Sequence, residues 1–133
     1  ERYGIESIAD IGAGDLNWIK EIELGCEYAA YDLVPRHPEV TCYNLLTDPL
    51  PEADCMMVLW VINHLPPQMQ LAAINKLKES NARFLMMTWD KRMEPCTDLP
   101  CIEKATLKKI KGINFEIRLV DLWKFNSTPK KAA

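Results

Sequence analysis

With 133 residues the chain has the length of one domain, enough for a core of about five or six strands with covering helices, and a second catalytic domain is excluded. Charged residues make up 26% and hydrophobic ones 48%, a balance that fits neither a disordered chain nor a membrane-embedded one, and no apolar run reaches the roughly 20 residues a spanning helix needs. The 16 Lys and Arg against 19 Asp and Glu leave a net charge of −3, which argues against wrapping nucleic acid through a general basic field and leaves room only for a local patch.

In chain order, Ile5–Ile11 reads as a first strand ended by Gly12-Ala13-Gly14, and Asp15–Leu24 as a short helix with Asp15 at its start and Gly25 at its end. Glu27–Val34 is a second strand closed by Pro35, Val40–Asn44 a short third, and the proline-rich Thr47–Glu52 a loop. Ala53–Ile62 is the most apolar segment, long enough for a strand buried on both faces, and marks the centre of the sheet. Pro66-Pro67 opens a helix with Met69, Leu71, Ala73, Ile74 and Leu77 on a broad apolar face, and Ala82–Trp89 is a fifth strand ending at Asp90. From Lys91 to Pro100 the pattern dissolves. Ile102–Lys111 reads as a basic amphipathic helix broken by Gly112, Phe115–Trp123 as a final strand with one solvated face, and residues 127–133 as a disordered tail after a single domain over 1–126. Short strands alternating with helices predict an α/β fold with a mostly parallel sheet.

Five cysteines, Cys26, Cys42, Cys55, Cys96 and Cys101, include no C-x-x-C pair, and several sit in apolar stretches; they are read as reduced thiols of a cytoplasmic protein. The two histidines, His37 and His64, lie far from any paired cysteines, so no metal site is expected. The chain starts Glu1-Arg2-Tyr3-Gly4, without a methionine and without the pattern of a signal peptide, and reads as a trimmed chain.

Ligands of open parallel sheets bind outside the carboxyl ends of the strands, where the strand order reverses. After the first strand stands Asp10-Ile11-Gly12-Ala13-Gly14-Asp15, whose glycines allow a sharp turn and close approach of a ligand. Asp32 closes the second strand 18 residues past Gly14, the interval of one β-α-β unit, where a carboxylate can accept two hydrogen bonds from a ribose diol; the plainer alternative is that it only begins the Asp-Leu-Val-Pro turn. A dinucleotide fingerprint would need glycine where Asn17 stands, and Asp15 would set a negative charge beside a pyrophosphate. An adenosine-bearing ligand without phosphate and with a cationic centre suits this acidic loop better.

The Asp10–Gly14 run, Asp32 after the second strand, and the segment Leu50–Pro66 together resemble class I S-adenosylmethionine-dependent methyltransferases over about residues 5–90. The chain is most similar to small viral and bacterial members whose fourth strand runs into a His-Leu-Pro helix start. The resemblance implies a Rossmann-like, mostly parallel sheet with helices on both faces and an antiparallel last strand. It implies S-adenosylmethionine as cofactor, with Asp10, Gly12, Ala13 and Gly14 at its methionine end, Asp32 on the ribose, Leu33 on the adenine face, Asn44 and Leu45 near the adenine amino group, and Leu59 and Trp60 beside the transferable methyl. Three departures stand out. Leu16 replaces the third loop glycine, narrowing the space near the methionine carboxylate; Leu59-Trp60 replaces an Arg-Asp pair common in relatives; and the segment beyond Asp90 leaves little material for a closing hairpin.

The expected function is therefore a methyltransferase that positions an acceptor for in-line attack, the alternative being a non-catalytic methyltransferase-like binding module or partner subunit. His64, at the front of a helix near the expected methyl, is the catalytic candidate as a proton acceptor; packing against the helix start is the competing role. Pro66-Pro67, Pro95-Cys96 and Pro100-Cys101 do not follow the fourth strand as the motifs of nucleobase methyltransferases do, so a small-molecule acceptor is expected over nucleic acid. Lys104, Lys108, Lys109 and Lys111 with Lys130-Lys131 form a solvated face rather than a docking strip. No membrane association is expected, and an oligomer remains compatible with the sequence.

Overall fold

The computed structural model describes residues 3–16, 19, 25–93 and 99–127. Among these residues seven strands form one sheet in the order β3-β2-β1-β4-β5-β7-β6, comprising β1 (Ser7–Ile11), β2 (Glu27–Asp32), β3 (Val40–Cys42), β4 (Cys55–Val58), β5 (Phe84–Trp89), β6 (Cys101–Ile110) and β7 (Ile113–Asp121). The first five pair in parallel, and β7 runs antiparallel to both β5 and β6. The order reverses between β1 and β4, so a crevice is expected beyond their carboxyl ends.

Side chains of the central strands alternate between two faces. On one, Ala9, Ile11, Met56, Val58, Leu85 and Met87 pack against helix α1 (Pro67–Lys78). Pro67 sits at the first helical position, where its missing N–H costs no intrahelical bond, and Gln70, Ala73, Ile74 and Leu77 repeat at helical spacing to form the buried stripe. Met69 and Leu71, expected on that stripe, lie off it and are 42% and 46% exposed. Lys76 anchors the loop after β3 to this helix by donating to the carbonyl oxygens of Leu45 and Asp48. On the other face a smaller core gathers Ala13, Leu16, Ile19, Ala30, Val40 and Met57.

The parallel strands occur where the sequence places them, though shorter. β4 stops at Val58 instead of running to Ile62 because the chain turns at Trp60, which has φ 58°, and then forms a 3-10 turn over Ile62–His64. The basic helix expected over Ile102–Lys111 is instead strand β6, joined to β7 by Lys111-Gly112. Those two residues have φ 48° and 81°, both positive as a type I′ hairpin turn requires, so Gly112 is a turn glycine rather than a helix stop. The closing hairpin that the short C-terminal segment argued against is thus present. β7 ends at Asp121, and Leu122–Ser127 is a short helix, α2, where the sequence suggests strand to Trp123.

Of the helix expected at Asp15–Leu24, only Asp15, Leu16 and Ile19 lie among the described residues; the remainder falls outside them, as do Pro95-Cys96 and residues 128–133 of the expected tail. Among the described residues no helix is long and apolar enough to cross a membrane.

Candidate functional site

At the reversal point the chain leaves β1 through Gly12-Ala13-Gly14. The amides of Gly12 and Ala13 both donate to the Tyr31 carbonyl on β2, at 2.8 and 3.1 Å, which folds the turn back over the neighbouring strand. Gly12 has φ +85°, and a Cβ there would overlap Cγ2 of Val61, so the close approach that requires this glycine is made by the protein's own post-β4 segment. A Cβ on Gly14 would meet nothing within 4 Å, and its surface faces open space.

That space is a cavity of about 630 Å³, a volume suited to a cofactor-sized ligand. Gly12, Ala13, Gly14 and Asp15 line it on one side, with Asp10 buried beneath them, and Leu59 and Trp60 on the other. The floor is apolar, built from the sheet face opposite α1: Ile8, Met57 and Met86, continued by Leu107 and Ile117 of the hairpin. No lysine or arginine occurs among the described lining residues, so the rim is acidic.

Asp32 reaches the rim from the end of β2. Its Oδ2 accepts the Gly14 N–H at 2.9 Å and its Oδ1 the Val34 N–H at 3.3 Å, which fixes the carboxylate against the glycine turn while each oxygen retains acceptor capacity. The Asp-Leu-Val-Pro turn and the contact to the glycine loop are therefore made by the same side chain. Asp10 is only 2% exposed and accepts a hydrogen bond from the Tyr28 hydroxyl at Oδ2. Burial pushes its carboxyl up to about 6; the Tyr28 bond works against that rise, and the nearby Asp32 charge adds to it. Burial and the Asp10 carboxylate together hold the Tyr28 phenol above its ordinary range, so Tyr28 remains a donor.

Trp60 stands opposite the glycine turn, held in its left-handed conformation by an N–H bond of 2.9 Å to Thr88 Oγ1. Its ring lies 5.1 Å from Phe115 and 6.5 Å from His64, centroid to centroid. Among the described residues, two buried polar atoms near these strand ends have no hydrogen-bond partner: Asn63 Oδ1 after β4 and Trp89 Nε1 at the end of β5. Arg118 stacks over Trp89 at 3.6 Å and pairs with Glu116 at 2.9 Å, while Arg92 binds fully buried Asp90 at 2.8 Å.

Of the residues singled out from the sequence, Asp10, Gly12, Ala13, Gly14, Leu59 and Trp60 share this cavity, and Asp32 joins them through Gly14. Leu33, 62% exposed, follows Asp32 at the edge of β2 and is free to cover a ligand. Asn44 and Leu45 are turned elsewhere. The Asn44 side-chain oxygen accepts from the Leu46 N–H at 3.0 Å in a local turn, and Leu45 is buried in the α1-side core. His64 is exposed and does not line the cavity. Leu16 keeps the backbone of the glycine it replaces, with φ 66°, but its side chain turns into the smaller core, so the narrowing expected from it does not occur. The sequence reading missed the floor and Phe115. Alternation along β1, β4 and β5 carries a signal for Ile8, Met57 and Met86, whereas Leu107 was assigned to a helix.

No protein-family model matches the sequence, and no curated protein matches it. Solved structures do. The 1,6-didemethyltoxoflavin-N1-methyltransferase of Burkholderia thailandensis, solved with 1,6-didemethyltoxoflavin and S-adenosylhomocysteine, is 11% identical with a TM-score of 0.69, over 90% of this chain and 72% of that one. The magnesium protoporphyrin IX methyltransferase of Synechocystis PCC 6803, solved with S-adenosylmethionine, is 14% identical with a TM-score of 0.59, over 86% and 69%. Human N-acetylserotonin methyltransferase in complex with S-adenosylmethionine is 11% identical with a TM-score of 0.60, over 88% of this chain and 48% of its own. At such identities the likeness establishes a shared architecture: the chain has the Rossmann-like α/β fold of S-adenosylmethionine-dependent methyltransferases.

Proposed function

We propose that the chain is an S-adenosylmethionine-dependent methyltransferase acting on a small-molecule acceptor. The observation that carries this reading is the Asp32 carboxylate bonded to the Gly14 amide at the mouth of an acidic-rimmed cavity with no basic lining residue. The residues fit the cofactor. Asp32 would hold the ribose hydroxyls, Leu33 the adenine face, and Asp10 with the Gly12–Gly14 turn the methionine end. Bound there, the cofactor supplies an electrophilic methyl on a sulfonium. The chain's own residues do the rest. The apolar floor and the Trp60–Phe115 wall exclude water and align an acceptor, so that positioning and desolvation supply the rate without a strong base. A phosphate-bearing dinucleotide is disfavoured because Asp15 stands at the rim where a pyrophosphate would lie.

The apolar walls favour a small acceptor over nucleic acid, and the 1,6-didemethyltoxoflavin bound in one of the solved structures is consistent with that scale. The cytoplasmic setting expected from the cysteines belongs to the same proposal. Calorimetry with S-adenosylmethionine, S-adenosylhomocysteine and NAD is the direct test. Micromolar binding of the first two, on the order of −8 kcal/mol, with none for NAD is expected. Asp32→Ala should weaken S-adenosylmethionine by about 1.5–3 kcal/mol. No binding of S-adenosylmethionine, or an unchanged affinity in Asp32→Ala, would remove the reading or that assignment.

A second reading, a binding module that keeps the cofactor without turning it over, is favoured by the placement of His64 outside the cavity. Under it, tight binding would persist with no conversion of S-adenosylmethionine to S-adenosylhomocysteine across acceptor panels. If turnover is found and His64→Ala leaves it intact, His64 has only a packing role.

A further inference from the structure

Asp10 lines the cavity from beneath the glycine turn, and its charge meets no cation of the protein among the described lining residues. The groups around it are few. From β2 the Tyr28 hydroxyl donates to its Oδ2 and Asp32 adds a like charge; from the turn Asp15 shares the rim; from β4 its register partner is Met57, which does not titrate. Among the described residues, the group that stabilises this buried carboxylate in its charged form is the tyrosine hydroxyl. A hydroxyl that donates favours the carboxylate over the neutral acid. It also fixes which oxygen is engaged and leaves the other to a ligand.

Resting on the S-adenosylmethionine reading above, we propose that Tyr28 is a positioning residue that keeps Asp10 charged and aimed at the cationic end of the cofactor, so that proton uptake at Asp10 gates binding. An entering ligand cation offsets a charge that the folded chain carries at a cost, and the neutral acid has no such attraction to offer. Since burial pushes Asp10 up to about 6, the gate operates just below neutrality. Without the Tyr28 hydroxyl, burial and Asp32 act unopposed and the gate moves to higher pH.

The test is the dissociation constant of S-adenosylmethionine, S-adenosylhomocysteine and 5′-methylthioadenosine between pH 5 and 8, for the wild type, Tyr28→Phe and Asp10→Asn. The first two ligands carry an ammonium and the third has neither ammonium nor sulfonium, so it reports on Asp32 and the adenosine pocket alone. For the wild type, the two charged ligands should lose about tenfold in affinity from pH 7.5 to pH 5, and 5′-methylthioadenosine should stay level. Tyr28→Phe should move the midpoint up by about one pH unit and rejoin the wild type near pH 8. Asp10→Asn should bind the charged ligands weakly with no pH dependence. Level wild-type affinities, or a Tyr28→Phe curve that is lowered without being shifted, would overturn the gate and leave the cofactor reading standing. If neither charged ligand binds the wild type at any pH, both fall together.

Discussion

Gly12 is fixed by two demands at once, a φ of +85° and the Val61 methyl lying where a side chain would begin. Gly12→Ala meets both penalties, strain in the left-handed region and overpacking, and should lower stability by about 2–4 kcal/mol in urea titration. Adding Val61→Ala should return the packing part and leave the backbone part. A loss under 0.5 kcal/mol in the single variant would mean that the turn relaxes around the new methyl. Trp60 is the counterpart across the cavity, a bulky residue in the same backbone region held by Thr88 Oγ1. Thr88→Val removes the acceptor for its amide and should cost about 1–2 kcal/mol. It should also alter tryptophan fluorescence, because the ring loses its register against Phe115. An unchanged spectrum would show that the turn holds without the bond. The rim residues were legible in the sequence because glycines and a carboxylate at strand ends announce themselves. The burial of Leu45 and the local turn of Asn44 were not, since both depend on how the loop after β3 docks on α1 through Lys76, a contact between residues 31 apart.

At the level of elements, β1, β2 and β5 were readable because glycine, proline or aspartate closes them, β4 because it lies in the most apolar segment of the chain, and α1 because its apolar positions repeat at helical spacing. β6 was not. Its pairing with β7 shifts register between Cys101 and Glu103 and again between Thr106 and Lys108, so no strict alternation survives in the sequence. Lys104 and Lys109, exposed on β6, instead guard an edge strand against pairing with other chains. Since the hairpin carries Leu107 and Ile117 into the cavity floor, misreading this one element hid a wall of the site. The turn itself offers a test. Lys111 adopts φ 48° at a position where asparagine is preferred, and Lys111→Asn would create the Asn-Gly pair of a type I′ turn. It should raise stability by about 0.5–1 kcal/mol, read as a higher thermal midpoint. Gly112→Val should lower it by about 1–2 kcal/mol, because a β-branched residue does not tolerate φ 81°. Opposite behaviour of the pair would contradict the hairpin.

Across the whole molecule the two faces of the sheet differ in what they bury, and two buried carboxylates, Asp10 and Asp90, give the stability a pH dependence of opposite signs. On the α1 side the core is closed with apolar side chains, while beside the cavity Asp10 is buried and negative next to Asp32. A carboxyl pushed up from 3.8 to about 6 favours the folded state fully only when protonated, below its unfolded value, and that favour is lost as pH rises through 6. At pH 7.5 the ionised form therefore costs the fold about 3 kcal/mol relative to the acid. Asp90 acts in the opposite sense. Its hydrogen bonds from Arg92 hold it below the ordinary range, so its contribution is present above the unfolded carboxylate value and is lost as pH falls through the lowered one. The thermal midpoint should accordingly rise from pH 7.5 to about 5 and fall again below about 4. Asp10→Asn should flatten the upper limb and stabilise the protein at pH 7.5 by about 1–3 kcal/mol, the mark of a residue kept for a ligand rather than for the fold. In the presence of saturating S-adenosylmethionine the wild-type midpoint should gain more at pH 7.5 than at pH 5 if, as proposed, the cation binds the form of Asp10 that the empty fold tolerates least. An equal gain at both pH values would detach the buried charge from the cavity it lines.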